Sequence, residues 1–214
     1  IWFVGIYNAV NLLDGLDGLA GGFMVLVCIG AALAGNGAFA QLNFVFVFLL
    51  LGFLVFNQRI SKLFMGDAGS LFLGFHIAVM PLLFAESMPF STILRTTPFV
   101  LLATYLVADT TRVFFTRLAV KKSPMTADTI HFHHVILQQS GSYLASRGSI
   151  YFITLITVLF AAFSFTNQLS VNFMLGHLAL LLIFILTPPI QTYVPLFTRL
   201  VKPFYTGQVN HKSI

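Results

Sequence analysis

Long apolar runs, separated by short polar or glycine-rich breaks, repeat along almost the whole chain and constrain its fold more than any other feature. The runs cover residues 1–13, 19–34, 39–56, 68–85, 93–113, 149–165 and 171–187. A membrane-spanning helix needs about 20 apolar residues. Only 8% of the 214 residues are charged, against about a quarter in soluble domains. The sequence therefore predicts an all-α polytopic integral membrane protein with about six to seven transmembrane helices.

The basic residues fall almost entirely on one side of the predicted membrane. Of the 11 lysines and arginines, all but Arg95 lie in or at the edge of residues 8–18, 57–67, 116–148 and the C-terminal tail. The positive-inside rule places these loops in the cytoplasm. Asp14, Asp17, Asp67 and Asp128 lie there too, so we expect function at this face. The positive charge is explained by topology, and no nucleic-acid partner is expected.

The stretch NAVNLLDGLDGLAGG, residues 8–22, contains two aspartates three positions apart. If the stretch is helical, Asp14 and Asp17 lie on one face, and its glycines allow a ligand or another helix to approach closely. Such a pair suits a divalent cation or the hydroxyl and amine donors of a polar substrate. The alternative is that both aspartates cap the next helix, which explains Asp17 better than Asp14 together with Asn8.

A third carboxylate, Asp67, lies between two glycines in FMGDAGSLFLG, residues 64–74. On such a turn a carboxylate can present its oxygens to Mg²⁺, which often shares its ligands with substrate phosphates. An N-terminal helix cap is an equally good explanation.

The polar segment SPMTADTIHFHH, residues 123–134, contains three histidines and an acid. With Arg117, Lys121 and Lys122 upstream, His131, His133 and His134 could hold a diphosphate. A zinc site lacks the usual matched ligands, and a structural histidine cluster is the other alternative. Asp109 and Arg112, three residues apart, are either functional or a simple ion pair. His76 and His177 are expected to be packing or hydrogen-bonding residues, and Cys28 a small core residue.

Together the motifs NAVNLLDGLDGLAGG, FNQRISKLFMGDAGSLFLGF and SPMTADTIHFHH resemble the polyprenyl-phosphate N-acetylhexosamine-1-phosphate transferases over residues 1–141. Phospho-N-acetylmuramoyl-pentapeptide transferase belongs to the same superfamily, but the His-x-His-His pattern resembles the GlcNAc-1-phosphate branch. The resemblance implies transfer of a HexNAc-1-phosphate from a UDP-sugar to undecaprenyl phosphate, with release of UMP. The implied setting is the cytoplasmic face of the bacterial inner membrane, at the first step of a cell-surface polysaccharide pathway. The implied cofactor is Mg²⁺ or Mn²⁺, and a homodimer is compatible with it.

The resemblance also implies roles for individual residues. Asp14, Asp17 and Asp67 would be catalytic, and Asp67 would ligate the metal. The residues implied to bind substrate are Asn8, Asn57, Phe64, Arg117, Asp128, His131, His133 and His134.

The sequence departs from the family pattern in three ways. The family's upstream half, with the aspartate pair that begins its DDxxD motif, has no counterpart, so we expect a downstream part of a longer enzyme that is inactive alone. No proline follows Asn57, and Thr129 stands where this branch often has arginine. Two rival interpretations are a polar-lipid transporter or flippase, which would place charges near the bilayer midplane, and a non-catalytic membrane remnant.

Overall fold

The computed structural model describes residues 1–60, 63–86, 101–119, 121, 123 and 130–167. These residues form seven α-helices and a π-helical turn at Phe56–Ile60. The helices are α1 (Trp2–Leu13), α2 (Leu19–Ala34), α3 (Gly37–Val55), α4 (Gly66–Glu86), α5 (Thr104–Ala119), α6 (Phe132–Ser140) and α7 (Tyr143–Asn167). Asp128, His177 and the predicted span 171–187 lie outside the described residues.

The first four helices agree with the predicted apolar runs to within two residues at each end. The region predicted as a polar loop, residues 116–148, is different. It contains the end of α5, all of α6 and the start of α7. Polarity in this region marks where helices leave the apolar layer, and their backbone hydrogen bonding continues past that point. The predicted long loop is therefore largely helical in its described part.

Three described stretches are long and apolar enough to cross a membrane, namely Gly37–Gln58, Gly66–Phe84 and Tyr143–Phe163. Helices α1 and α2, with 12 and 16 residues, are apolar but fall short of the roughly 30 Å hydrocarbon core at about 1.5 Å per residue. Helix α2 is buried on nearly all sides, whereas α3 exposes Phe44, Phe48 and Leu49. This distribution fits a central α2 and a lipid-facing α3.

Helices α1 and α4 pack closely along their length. The indole Nε1 of Trp2 donates a hydrogen bond to the carbonyl of Ala78 at 3.0 Å. Where the helices come closest, a Cβ atom placed on Gly74 would lie only 2.9 Å from the Cα of Tyr7. This contact requires glycine, because the obstacle is backbone and cannot rotate away.

We expect Gly74→Ala to destabilise the protein by about 1–3 kcal/mol, because the added methyl group must push α1 and α4 apart. The matched control is Gly52→Ala on α3, where an added Cβ has nothing within 4 Å. There alanine should be neutral or stabilise the helix by up to about 1 kcal/mol. Thermal unfolding in detergent micelles measures both, and equal behaviour of the two variants would contradict the close contact.

His76 joins α4 to α3 within the apolar layer. Its Nε2 lies 3.1 Å from Oδ1 of Asn43, and its ring stacks on Phe46 with centroids 3.8 Å apart. The predicted packing role of His76 is confirmed. Cys28 is fully buried in the core, also as predicted.

Candidate active site

The two aspartates of the first motif lie in the connection between α1 and α2, which we call the aspartate turn (residues 14–18). Asp14 is the C-terminal cap residue of α1, and Gly18 is the N-terminal cap residue of α2 with φ +80°. The expectation that both aspartates share one helix face is therefore wrong, because α1 ends at Leu13. The capping alternative is not supported either, since no side chain caps α2.

Asp67 is brought to the aspartate turn by a residue of α1. The amide Nδ2 of Asn11 donates to Oδ1 of Asp67 at 3.1 Å and is 3.0 Å from Oγ of Ser70. Asp67 is exposed in the first turn of α4. Asn11 therefore ties two carboxylate motifs together across 56 residues of sequence.

The three carboxylates affect one another electrostatically. Partial burial, followed by the negative charges of Asp17 and Asp67, raises the pKa of Asp14 to about 6. Such a group of acids attracts a cation, since a positive charge offsets the repulsion between the carboxylates.

The histidine motif packs against the same turn. A Cβ atom placed on Gly15 would lie 3.2 Å from Nε2 of His133 and 3.3 Å from Nε2 of His134. The rings of His133 and His134 are 4.2 Å apart, and Oγ of Ser146 on α7 donates to the carbonyl of His133 at 2.7 Å. The aspartate and histidine motifs, more than 100 residues apart in sequence, thus form one cluster.

His133 is neutral near pH 7. Burial, together with the neighbouring His134 and His131, lowers the pKa of His133 to about 3, although Asp109 acts in the opposite direction. Neither ring nitrogen of His133 has a hydrogen-bond partner among the described residues. A cationic role in holding a diphosphate therefore does not suit His133.

Asp109 and Arg112 form the ion pair that the sequence left as one alternative, with Nη2 of Arg112 2.8 Å from Oδ1 of Asp109. Asp109 is buried and also accepts hydrogen bonds from the histidine segment. Its Oδ2 is 3.0 Å from Nδ1 of His131. Asp109 therefore bonds both to Arg112 and to the histidine segment.

Two side chains of helix α7 bind backbone carbonyls of the aspartate turn. Nη1 of Arg147 donates to the carbonyl of Asp17 at 2.8 Å, and the hydroxyl of Tyr151 donates to the carbonyl of Gly18 at 2.5 Å. A side chain on Gly18 would overlap Gln58. The turn is therefore fixed by side chains from several elements.

The structure also describes four other predicted site residues. Asn8 is exposed, and its Nδ2 donates to the carbonyl of Val4 in its own helix. Asn57 is buried, and its Nδ2 donates to the carbonyl of Leu63 at 2.7 Å. Phe64 is 69% exposed and Arg117 is buried. Their predicted binding roles stay predictions, as does that of Asp128.

Among the described residues, no group of three histidine, cysteine, aspartate or glutamate side chains is close enough to hold a metal ion. A Mg²⁺ site completed by water and substrate phosphates needs only one or two carboxylates. Asp67, exposed and oriented by Asn11, fits that lesser requirement.

Asn11, Arg147 and Tyr151 were not identified from the sequence. Asn11 and Asn8 are both in the first motif, and nothing in the pattern distinguishes their orientations. In the sequence, Arg147 is only one of the basic residues on the predicted cytoplasmic side. Its partner is a backbone carbonyl 130 residues away, which no residue pattern records.

Comparisons with known proteins agree with these motifs. Residues 1–85 match the family model described as glycosyl transferase family 4. The chain is 36% identical over 159 residues to a probable undecaprenyl-phosphate N-acetylglucosaminyl 1-phosphate transferase of Bacillus subtilis, covering 72% of this chain and 43% of that protein. It is 33% identical over 144 residues to an undecaprenyl-phosphate alpha-N-acetylglucosaminyl 1-phosphate transferase of Thermotoga maritima, covering 67% and 43%.

A second group of relatives matches a shorter stretch. The chain is 46% identical over 86 residues to a phospho-N-acetylmuramoyl-pentapeptide-transferase of Staphylococcus carnosus, covering 38% of this chain and 27% of that protein. The chain spans 43% of the length of the first two relatives.

Proposed function

We propose that the protein transfers a HexNAc-1-phosphate, that of GlcNAc, to undecaprenyl phosphate, because residues 1–85 match glycosyl transferase family 4 and the similar proteins include undecaprenyl-phosphate GlcNAc-1-phosphate transferases. The donor is a UDP-sugar, and the other product is UMP. The reaction takes place at the cytoplasmic face of a bacterial inner membrane and begins a cell-surface polysaccharide. The observation that carries the proposal is the meeting of three separate motifs at the aspartate turn.

The reaction exchanges one phosphoanhydride partner for another. An oxygen of the lipid phosphate forms a bond to the β-phosphorus of the UDP-sugar, and the bond from that phosphorus to the bridging oxygen breaks. The electron pair leaves with UMP, and with the lipid phosphate dianionic no net proton is released. The protein must therefore position two anions and neutralise charge, which is the usual demand of phosphoryl transfer.

The residues of the cluster suit these tasks. We propose that Asp67 holds Mg²⁺, or Mn²⁺ in its place, with Asn11 fixing the carboxylate. When bound, such an ion neutralises phosphate charge and orients the phosphates. Asp14 and Asp17 line the site and bind donor groups of the substrate, and Arg147 holds their turn in place.

The test of the proposal is UMP release from UDP-GlcNAc by the purified protein as its gene encodes it. Release should require both undecaprenyl phosphate and a divalent cation, and a lipid-linked diphosphosugar should form in equal amount. Transport of a polar lipid without UMP release would instead support a flippase. The 214-residue chain alone is expected to be inactive, and turnover by it would contradict that part of the proposal.

Asn11→Ala should lower kcat by about 10- to 100-fold, because it removes a hydrogen bond to the charged Asp67 carboxylate. The comparison variant is Asn8→Ala, because the amide of Asn8 donates to the carbonyl of Val4 in its own helix. The UMP assay measures both. A greater loss for Asn8→Ala than for Asn11→Ala would contradict the assignment of Asn11 as the residue that orients Asp67.

A further inference from the structure

The carboxylate of Asp109 on α5 contacts the start of the histidine motif through several bonds. The backbone N–H of Phe132 donates to its Oδ1 at 3.2 Å, and Nδ1 of His131 lies 3.0 Å from Oδ2. Nη2 of Arg112 reaches both Oδ1 of Asp109 at 2.8 Å and the carbonyl of Ile130 at 2.6 Å. Asp109 and Arg112 together therefore hold three successive residues of this segment.

These bonds decide which nitrogen of His131 carries the proton. An ionised carboxylate only accepts hydrogen bonds, so Nδ1 must donate to it. In its neutral form His131 therefore carries its proton on Nδ1, and Nε2 is left as an acceptor.

His131, whose Nε2 is the acceptor, lines a small cavity next to the end of α1. The nitrogen is buried and has no partner among the described residues. A cavity of about 10 Å³ lies beside His131 and His133, and its other walls include Leu12 and Leu13 of α1, directly before Asp14. This is room for about one water molecule or one hydroxyl group.

We propose that Asp109 is a positioning residue, which fixes His131 with its proton on Nδ1 so that Nε2 accepts a hydrogen bond from an O–H donor next to the end of α1. The donor is a water molecule or a substrate hydroxyl. A lone pair at Nε2 repels phosphate oxygens, so His131 does not bind the diphosphate. The link to substrate rests on the proposed function, whereas the tautomer does not.

The tautomer is tested on the unaltered protein with ¹⁵N-labelled histidine. The ¹⁵N spectrum at neutral pH should show His131 protonated on Nδ1 alone, with the signal assigned by its loss in His131→Gln. A His131 protonated on Nε2, or on both nitrogens, would overturn the proposal even if UMP release is observed. If UMP release fails while the tautomer is found, only the proposed function is lost.

The two donors are distinguished in the same spectrum by adding UDP-GlcNAc. A shift of the Nε2 signal on addition identifies a substrate hydroxyl. A hydrogen-bonded Nε2 signal that does not change identifies water. A signal without any hydrogen bond in either state would overturn the acceptor role.

The positioning role is tested with the double variant Asp109→Asn, Arg112→Gln, which removes the carboxylate without leaving the partly buried Arg112 unpaired. We expect kcat to fall by about 10- to 100-fold, with KM for UDP-GlcNAc much less affected and the single His131 tautomer lost. The control is His76→Gln, a buried histidine bonded to the neutral Asn43, which should keep its activity. Wild-type kcat in the double variant would overturn the role, and if that variant does not fold, the wild-type spectrum still decides.

Discussion

Asp67→Asn is expected to abolish UMP release, with a fall of about a thousandfold or more in kcat. The asparagine has the same shape, and its Oδ1 can still accept the hydrogen bond that Asn11 donates to Asp67. What is lost is the negative charge, on which binding of the divalent cation depends. Ser70→Ala is the matched control, because it removes the other contact of Asn11 and leaves the carboxylate in place. Ser70→Ala should lower kcat far less than Asp67→Asn.

Direct ligation by Asp67 can be separated from a general effect of charge. A thiolate prefers softer metals than Mg²⁺, so Asp67→Cys should be inactive with Mg²⁺ and recover part of its activity with Cd²⁺. Cys28 is the chain's other thiol in that variant, and it is buried in the core. Equal inactivity of Asp67→Cys with both metals, or residual activity of Asp67→Asn close to that of Ser70→Ala, would contradict the role of Asp67 as ligand.

The sequence was most informative where burial and backbone geometry follow from local composition. The limits of α2 are predicted to the residue, because Gly18 and Gly35 interrupt its apolar run. The meeting of Asp14, Asp67 and the histidines at one place also follows from the sequence, since loops on one face of a short bundle must be neighbours. The structure brings these residues together as expected.

What the sequence could not predict depends on which atom points where. The predicted apolar run ended at Leu13, as α1 does, but the sequence did not show that Arg147 and Tyr151 hold the aspartate turn. The sequence does not distinguish Asn11 from Asn8, because it does not show which of the two amides points toward Asp67. Asp109 was equally consistent with an isolated ion pair, since its bond to His131 joins residues on different elements.

Asp14→Asn is expected to change activity and stability in opposite directions. UMP release should fall, because the carboxylate no longer binds the donor groups of the substrate. The free energy of unfolding should rise by about 1–2 kcal/mol at neutral pH after allowance for solvent screening. The gain arises because the variant no longer holds a half-buried charge beside Asp17 and Asp67. A site that is kept destabilised in order to bind a ligand shows this opposition.

The pH dependence of the gain identifies its cause. The pKa of Asp14 is raised from 3.8 in the unfolded chain to about 6 in the folded protein, so the charged carboxylate destabilises the fold fully above about pH 6. Below about pH 4 the group is protonated in both states, and the advantage of the variant should vanish. His133, whose pKa is lowered from 6.5 to about 3 on folding, also makes stability depend on pH in this range, but it does so in both proteins and cancels in the difference. Unfolding of wild type and variant at about pH 8 and pH 4 measures this, and a gain that persists in acid would show that asparagine stabilises the turn by a hydrogen bond and not by the loss of charge.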